Sequence, residues 1–477
     1  MSSPLWTLDE IVAATGARVG SGFRQATGAS IDTRTLEPGD LYFAIRGDVH
    51  DGHDFVPAAL EKGASAAVVS AEKASAFDSD RLIVVPDVLE AMRRLGCAAR
   101  ARTDARIVAI TGSVGKTGTK EAMRLALSRQ GATHASVASY NNHWGVPLTL
   151  SRMPRETEFG IFEIGMNHAH EILPLTAMVR PHVAVITTIE PVHIEFFPSL
   201  WGIADAKGEI FSGIEPGGTA VINRDSPYFE RMKAHALASA AGRVISFGEH
   251  ETADIRAERI IVKPDQSIVE ARVFGQLVTY RIGTAGRHIA LNSLSVLAAC
   301  HALGADLAQV VMAFAELKPP VGRGERTMLA IGEEEEALLI DESYNANPAS
   351  MRAALANLGA VELGRHARRL AVLGDMKELG ENGPGLHEEL AAAIEANRID
   401  LVFAAGPLMK NLVDRLPKAK VALHAQTSAE LVDAVCAAIR PGDAVTVKGS
   451  LSMKMALVVK ALKERYSAGP AAHALKG

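Results

Sequence analysis

Arg106-Ile107-Val108-Ala109-Ile110 leads into Gly112-Ser113-Val114-Gly115-Lys116-Thr117, and this stretch decides the architecture. The first five residues form an apolar, largely β-branched run, which reads as a strand buried in a parallel sheet. A Gly-rich turn follows, then a helix opening near Lys116. Backbone N–H groups in such a turn point at phosphate oxygens, and the helix N-terminus adds positive potential. Lys116 can reach β- and γ-phosphates, and the Thr117 hydroxyl can ligate Mg²⁺. The usual pattern G-x4-G-K-[ST] needs Gly at position 110, where Ile110 stands. The match is therefore partial. An unrelated turn is the bland alternative, and the flanking strand and helix argue against it.

Working outward, further strands are expected at 159–164, 183–188 and 219–223, with helical patterns between them. Strands alternating with helices imply a doubly wound, mostly parallel sheet. Segment 252–282 has short alternating runs and reads as an antiparallel insertion, followed by a helix at 290–303. Upstream, apolar runs at 41–45, 66–69 and 82–85 among Gly- and Asp-rich turns, with a helix at 88–102, read as a small α/β domain. Downstream, runs at 337–340, 370–373, 401–404 and 444–447 read as a second α/β sheet. The acidic run 333–336 reads as a solvated turn, and the tail after 467 is expected to fray. The fold class is α/β in three domains: 1–104, 105–325 and 326–477.

The composition sets limits. A chain of 477 residues accommodates several domains of roughly 100–200 residues. Apolar residues make up 48% and charged ones 22%, as in globular proteins. A net charge of −5 gives no global attraction for nucleic acid or anionic lipid, so local groups must hold any anion. Cys97, Cys300 and Cys436 are far apart, which supports neither a disulfide framework nor a zinc site. The N-terminus lacks a signal-peptide pattern, and no apolar run of about 18 residues spans a membrane. The cytosol is the expected compartment and a monomer the expected state.

Several residues are placed for chemistry. Glu163 ends an apolar strand beside the loop and can hold Mg²⁺; an ordinary strand-end Glu is the alternative. Glu190, His193 and Glu195 follow the strand at 183–188, where open α/β sheets bind ligands, although a lone His is more often a polar loop residue. Lys207 by default is a solvated helix lysine. Asn141 and Asn142 lie in the polar, aromatic turn 139–147, which contacts substrate or is turn chemistry alone. Asp341, in Asp341-Glu342-Ser343-Tyr344-Asn345-Ala346-Asn347-Pro348, either takes ribose hydroxyls or belongs to a turn and helix N-cap. Arg323 either reaches phosphate across a cleft or is a linker arginine. Val447-Lys448-Gly449-Ser450 binds an anion or turns the chain.

Taken in order, the loop 112–117, Asn141-Asn142, Glu163, His193, Lys207, Gly286-Arg287-His288 with Asn292, Arg323 and Asp341 resemble the Mur ligases of peptidoglycan synthesis. The resemblance covers nearly the whole chain. The strings 344–348, 372–380 and 447–450 are similar to those of the member that adds D-alanyl-D-alanine to UDP-N-acetylmuramoyl-tripeptide. Ser30-Ile31-Asp32-Thr33-Arg34, Gly47-Asp48 and 51–55 are similar to the family's uridine-nucleotide domain.

The resemblance implies a central ATP-binding domain, a uridine-nucleotide domain before it, and a Rossmann-like domain after it for the dipeptide and the ATP ribose. It implies that Gly112, Ser113, Val114, Gly115, Lys116 and Thr117 hold ATP phosphates. Mg²⁺, two ions, would lie at Thr117, Glu163, His193 and Lys207, the last carbamylated by CO₂. Asn292 would contact adenine, Arg323 the γ-phosphate and Asp341 the ribose. Ser30, Asp32, Arg34, Asn141, Asn142, Asn345 and Asn347 would contact substrate. The chain departs from the family pattern at Leu451, where Arg is usual, at Gly118, where Thr is common, and at His170, where Gly is usual. The rivals are a superfamily member adding one amino acid or glutamate, and a nucleotide-binding regulator without catalysis.

Overall fold

The structure is a computed structural model that describes residues 4–47, 49–137, 139–192, 194–263, 265–332 and 335–466. The expected fraying tail, His193, Asp48 and the start of the acidic run lie outside the described residues.

Arg106–Thr111 is an interior strand of a nine-stranded sheet, between Phe159–Glu163 and Val183–Ile186, and is parallel to both. Beyond Val183–Ile186 come Thr219–Asn223, Arg243–Gly248 and Ile255–Val262, all parallel. Val108 and Ile110 enter one hydrophobic cluster, and Ile107 and Ala109 the other. This alternation explains the continuous apolar run: successive side chains point to opposite faces, and helices cover both. Lys116–Leu127, Arg287–Ala302 and Leu307–Phe314 contribute to the first cluster, Ile172–Val179 and Leu200–Gly208 to the second.

Segment 252–282 is antiparallel within itself, as expected. It joins the central sheet, because Ile255–Val262 continues that sheet and carries Ser267–Val273 and Gln276–Ile282 with it. The acidic run differs from expectation. Residues 335 and 336 open the strand Glu335–Glu342, which forms a hairpin with Glu325–Gly332. That strand begins a six-stranded sheet, parallel from Glu335–Glu342 through Ala444–Lys448, Arg369–Gly374, Leu401–Ala405 and Val421–Ala425. The N-terminal segment forms a five-stranded sheet around Asp40–Phe43, Ala66–Ser70 and Leu82–Val85.

The N-terminal unit is bolted to the central one. Trp6 Nε1 donates to Ser151 O at 2.8 Å, and Arg152 Nε donates to Ala29 O at 2.6 Å. Arg100, only 5% exposed, donates from Nε to Val179 O and from Nη2 to Arg180 O, each at 2.9 Å. It thereby satisfies carbonyls that the helix Ile172–Val179 leaves unpaired at its C-terminus. Arg100→Ala strands those carbonyls and opens a gap; a loss of roughly 2–4 kcal/mol is expected in urea unfolding of the full chain. Wild-type stability would show that the contact is dispensable.

Candidate functional site between the central and C-terminal sheets

The loop at the end of Arg106–Thr111 starts two residues later than the common pattern allows. Ile110 is fully buried in the strand and paired with Glu163, so the chain first turns at Gly112, with φ 146°. A Cβ on Gly112 would sit 2.0 Å from Thr187 Oγ1, and one on Gly115, φ 88°, 2.3 Å from Asn292 Nδ2. Only glycine fits either position. Thr187 Oγ1 donates to Val114 O at 2.6 Å, and Ser113 Oγ donates to Glu190 O at 3.0 Å, which holds the loop against the neighbouring strand's end. Gly115 is the N-cap of Lys116–Leu127 and supplies no capping side chain, so the first-turn N–H groups face the cleft without side-chain partners. Lys116 arches back, with Nζ donating to Gly112 O at 2.7 Å.

Glu163, 1% exposed, stands beside this loop. Thr117 Oγ1 donates to its Oε2 at 2.9 Å, and Asn141 Nδ2 donates to its Oε1 at 2.7 Å. The turn 139–147 thus faces two ways. Asn141 enters the cleft, while Tyr140 and Trp144 pack on the N-terminal core. Asn142 does not join Asn141: its Oδ1 accepts from Trp144 N and Gly145 N, which is the turn chemistry.

A cavity of about 490 Å³ opens here. Its central wall carries residues 113–119, Asn141, Glu163 and Asn292; its far wall carries Arg323, Glu342, Tyr344, Asn345, Asn347 and Lys448. The Arg323 guanidinium stacks over the Tyr344 ring, 4.2 Å from its centroid. Burial lowers the pKa of Lys116, which Glu163 opposes and Arg323 reinforces. Lys448 is lowered by burial, opposed by Glu342 and again reinforced by Arg323. Cations therefore crowd one cleft, the arrangement a polyanion relieves.

Other residues fall differently. Asp341, 4% exposed, accepts from Ser343 N at 3.0 Å and is not among the residues lining the cavity, whereas Glu342 is. Side chains alternate along a strand, so only one of two adjacent carboxylates faces the cleft. Asn347 lines the cavity, but its Oδ1 caps Pro348–Gly359 by accepting from Ser350 N at 2.9 Å. Asn345 Oδ1 accepts from Ala346 N, and its carbonyl accepts from Lys448 Nζ. Ser30, Asp32 and Arg34 form a local knot away from this cavity, with the Asp32 carboxylate taking the exposed Arg34 guanidinium. Leu451 lies on the cavity wall, 63% exposed.

Lys207 is not the solvated lysine of the default reading. It is 3% exposed, near the C-terminal end of the helix Leu200–Gly208. Burial, reinforced by Lys116, pushes its pKa well below the ordinary 10.5. Lowering the pKa favours the neutral amine, the form that is a nucleophile toward CO₂, and a carbamate there would answer the nearby cation. Among the described residues, no three His, Cys, Asp or Glu side chains are grouped to hold a metal. Thr117 and Glu163 nonetheless suit Mg²⁺, which binds through one or two carboxylates and takes its other oxygens from phosphates and water.

Three family models match: the Mur ligase family catalytic domain over residues 25–100, the Mur ligase middle domain over 110–300, and the Mur ligase glutamate ligase domain over 323–451. The UDP-N-acetylmuramoyl-tripeptide–D-alanyl-D-alanine ligase of Escherichia coli (strain K12) is 34% identical over 91% of this chain and 93% of its own. The chain belongs to the Mur ligase family. The enzyme of that name from Rickettsia prowazekii is 31% identical over 90% of this chain and 93% of its own. The crystal structure of MurF from Acinetobacter baumannii superposes with a TM-score of 0.83 at 28% identity, over 97% of this chain and 99% of that one. The Mur ligase from Thermotoga maritima, solved in complex with ADP, shares the fold at a TM-score of 0.75 and 24% identity, over 92% and 98%. Like other Mur ligases, the chain is an ATP-dependent ligase. No described helix is long and apolar enough to cross a membrane.

Sequence reading passed over Glu342 and Tyr344, although both stand in the quoted string 341–348; strand alternation signals that one of Asp341 and Glu342 faces inward. Lys207 gives a pH test. Burial lowers the folded pKa of this amine, so below 10.5 the unfolded chain binds more protons than the folded one, and stability rises with pH across that window. In CO₂-free buffer, Lys207→Met should melt higher than wild type at pH 7, with the gap narrowing toward pH 10. A gap independent of pH would show that burial does not lower the pKa of this lysine.

Proposed function

We propose that this Mur ligase joins the amine of D-alanyl-D-alanine to the terminal carboxylate of UDP-N-acetylmuramoyl-tripeptide, with ATP converted to ADP and phosphate, in peptidoglycan precursor synthesis. The observation that carries it is the match, over nine-tenths of the chain, to several enzymes of that name. The cationic cleft between the central and C-terminal sheets supports it.

Oxide is a poor leaving group, so a carboxylate does not acylate an amine directly. Transfer of the terminal phosphate of ATP to the carboxylate gives an acyl phosphate; the amine attacks its carbonyl, phosphate leaves, and the amine proton is lost. Two anions must meet for the first step. Lys116 and Arg323 offset their repulsion and steady the charge of the transferred phosphoryl group. The N–H groups of 115–117 cradle the phosphates, and Asn292, packed on Gly115, faces the base. Thr117 and Glu163, with His193 and a carbamylated Lys207, would hold two Mg²⁺ ions, which supply Lewis-acid stabilisation of phosphate oxygens. The N-terminal unit, with Ser30, Asp32 and Arg34, holds the uridine nucleotide; Asn141 meets the acceptor end; Asn345 and the C-terminal unit receive the dipeptide. Closure of the cleft excludes water from the acyl phosphate.

Glu342 takes the ribose place that the resemblance gave to Asp341, because its carboxylate faces the cavity and that of Asp341 is turned onto Ser343 N.

Incubation with ATP, UDP-N-acetylmuramoyl-tripeptide and a panel of amines, read by mass spectrometry, should give product with D-alanyl-D-alanine; product only with a single amino acid or glutamate would refute the proposal. Lys116→Ala should lower phosphate release dependent on both substrates by at least about a thousandfold; near-normal turnover would remove the loop from the mechanism. Lys207→Ala should be inactive and partly rescued by short carboxylic acids, and full activity without them would refute the carbamate.

A further inference from the structure

Glu342 and Lys448 stand directly opposite each other on adjacent parallel strands, Glu335–Glu342 and Ala444–Lys448. Lys448 Nζ donates to Asn345 O at 2.9 Å and lies 3.5 Å from Glu342 Oε2. The two side chains are 4% and 14% exposed, and both line the cavity beside His288 and Arg323. Among the described residues, Lys448 is the one side-chain hydrogen-bond partner of the Glu342 carboxylate.

A carboxylate in a phosphate-binding cleft is electrostatically misplaced unless it serves an uncharged part of the ligand. Glu342 only accepts hydrogen bonds, and it repels phosphate. The part of a nucleotide that offers neutral donors in a vicinal pair is the ribose, which acidic side chains bind in other nucleotide folds. A glutamate has freely turning side-chain torsions, so reaching two hydroxyls requires that something fix it. Lys448, tethered by the Asn345 carbonyl, is placed to do so.

We propose that Lys448 is a positioning residue that holds the Glu342 carboxylate toward the ribose hydroxyls of the bound nucleotide. The inference rests on the ATP-dependent reading of this cleft. It gives a role to the lysine buried at the end of Ala444–Lys448. It also separates the cleft into two chemistries: Lys116 and Arg323 for phosphate, Glu342 and Lys448 for sugar.

The test is the ratio of kcat/KM for ATP to that for 2′-deoxy-ATP and 3′-deoxy-ATP, measured on the full chain with both other substrates saturating. Wild type should favour ATP by roughly tenfold, the size of one lost hydrogen bond to a charged acceptor. In Lys448→Met and in Glu342→Gln the preference should fall to within about twofold, and the double variant should fall no further. Lys448→Arg, which keeps the charge, should retain most of the preference. A purely structural lysine predicts equal losses for all three nucleotides and an unchanged ratio, which would overturn the inference, as would a wild-type ratio near one. Should Lys448→Met not fold, Lys448→Gln takes its place with the same expected ratio. Product formation by the wild type with ATP is read first: its absence removes the proposed function, whereas product with an unchanged ratio removes the positioning role alone.

Discussion

The buried carboxylate of Glu163 is the interaction around which the cleft is organised. A charge nearly sealed from water is tolerated only when its oxygens are satisfied. Thr117, on the helix after the loop, satisfies one, and Asn141, on the turn that also touches the N-terminal core, satisfies the other. One carboxylate thereby couples the sheet, the phosphate loop and the neighbouring unit. Glu163 in turn sits where it does because it pairs with Ile110 in a parallel register. Shifting that strand by one residue would turn its side chain to the other face of the sheet.

Charge is distributed by location rather than by total. The chain is net acidic, yet Lys116, Arg323 and Lys448 converge on one cavity, and Lys116 adds to the lowering of the Lys207 pKa. Arg323 makes Lys116 and Lys448 costlier to protonate, and Lys116 does the same to Lys207. An anion seated among these cations lowers their mutual repulsion, and that relief favours binding of a triphosphate. The two-sidedness of the cavity matters equally. Neither sheet alone supplies both the phosphate loop and Arg323 with its Tyr344 platform.

Much of this was legible beforehand because local signals agreed with the global fold. The run 106–110 was legible as a buried strand since both of its faces are covered, and the glycines at 112 and 115 because no other residue fits. Other features depended on distant partners. The strands Arg243–Gly248 and Val421–Ala425 carry short, mixed patterns whose identity comes from the sheets they join. The antiparallel segment at 252–282 was legible from its alternation, but its attachment to the edge of the parallel strands was not, since edge pairing leaves no local trace. Lys207 looked like a surface lysine because helix periodicity does not announce what packs above it. Asp341 and Glu342 could not be told apart until the strand's facing was fixed, and Asn142 and Asn347 proved to be engaged in local turn and cap bonds.

The parallel register of the central sheet bears on how the chain is made. Arg106–Thr111 finds its neighbours only after Phe159–Glu163 and Val183–Ile186 have been synthesised, and the loop's glycine presses on Thr187, which comes later still. Until then a nascent chain carries an apolar strand with both edges open. Such pairings are slow to form and sticky while they wait. The phosphate loop is early in the sequence but late in assembly, so a ribosome pausing before residue 159 holds a chain whose strand Arg106–Thr111 lacks both of its sheet neighbours.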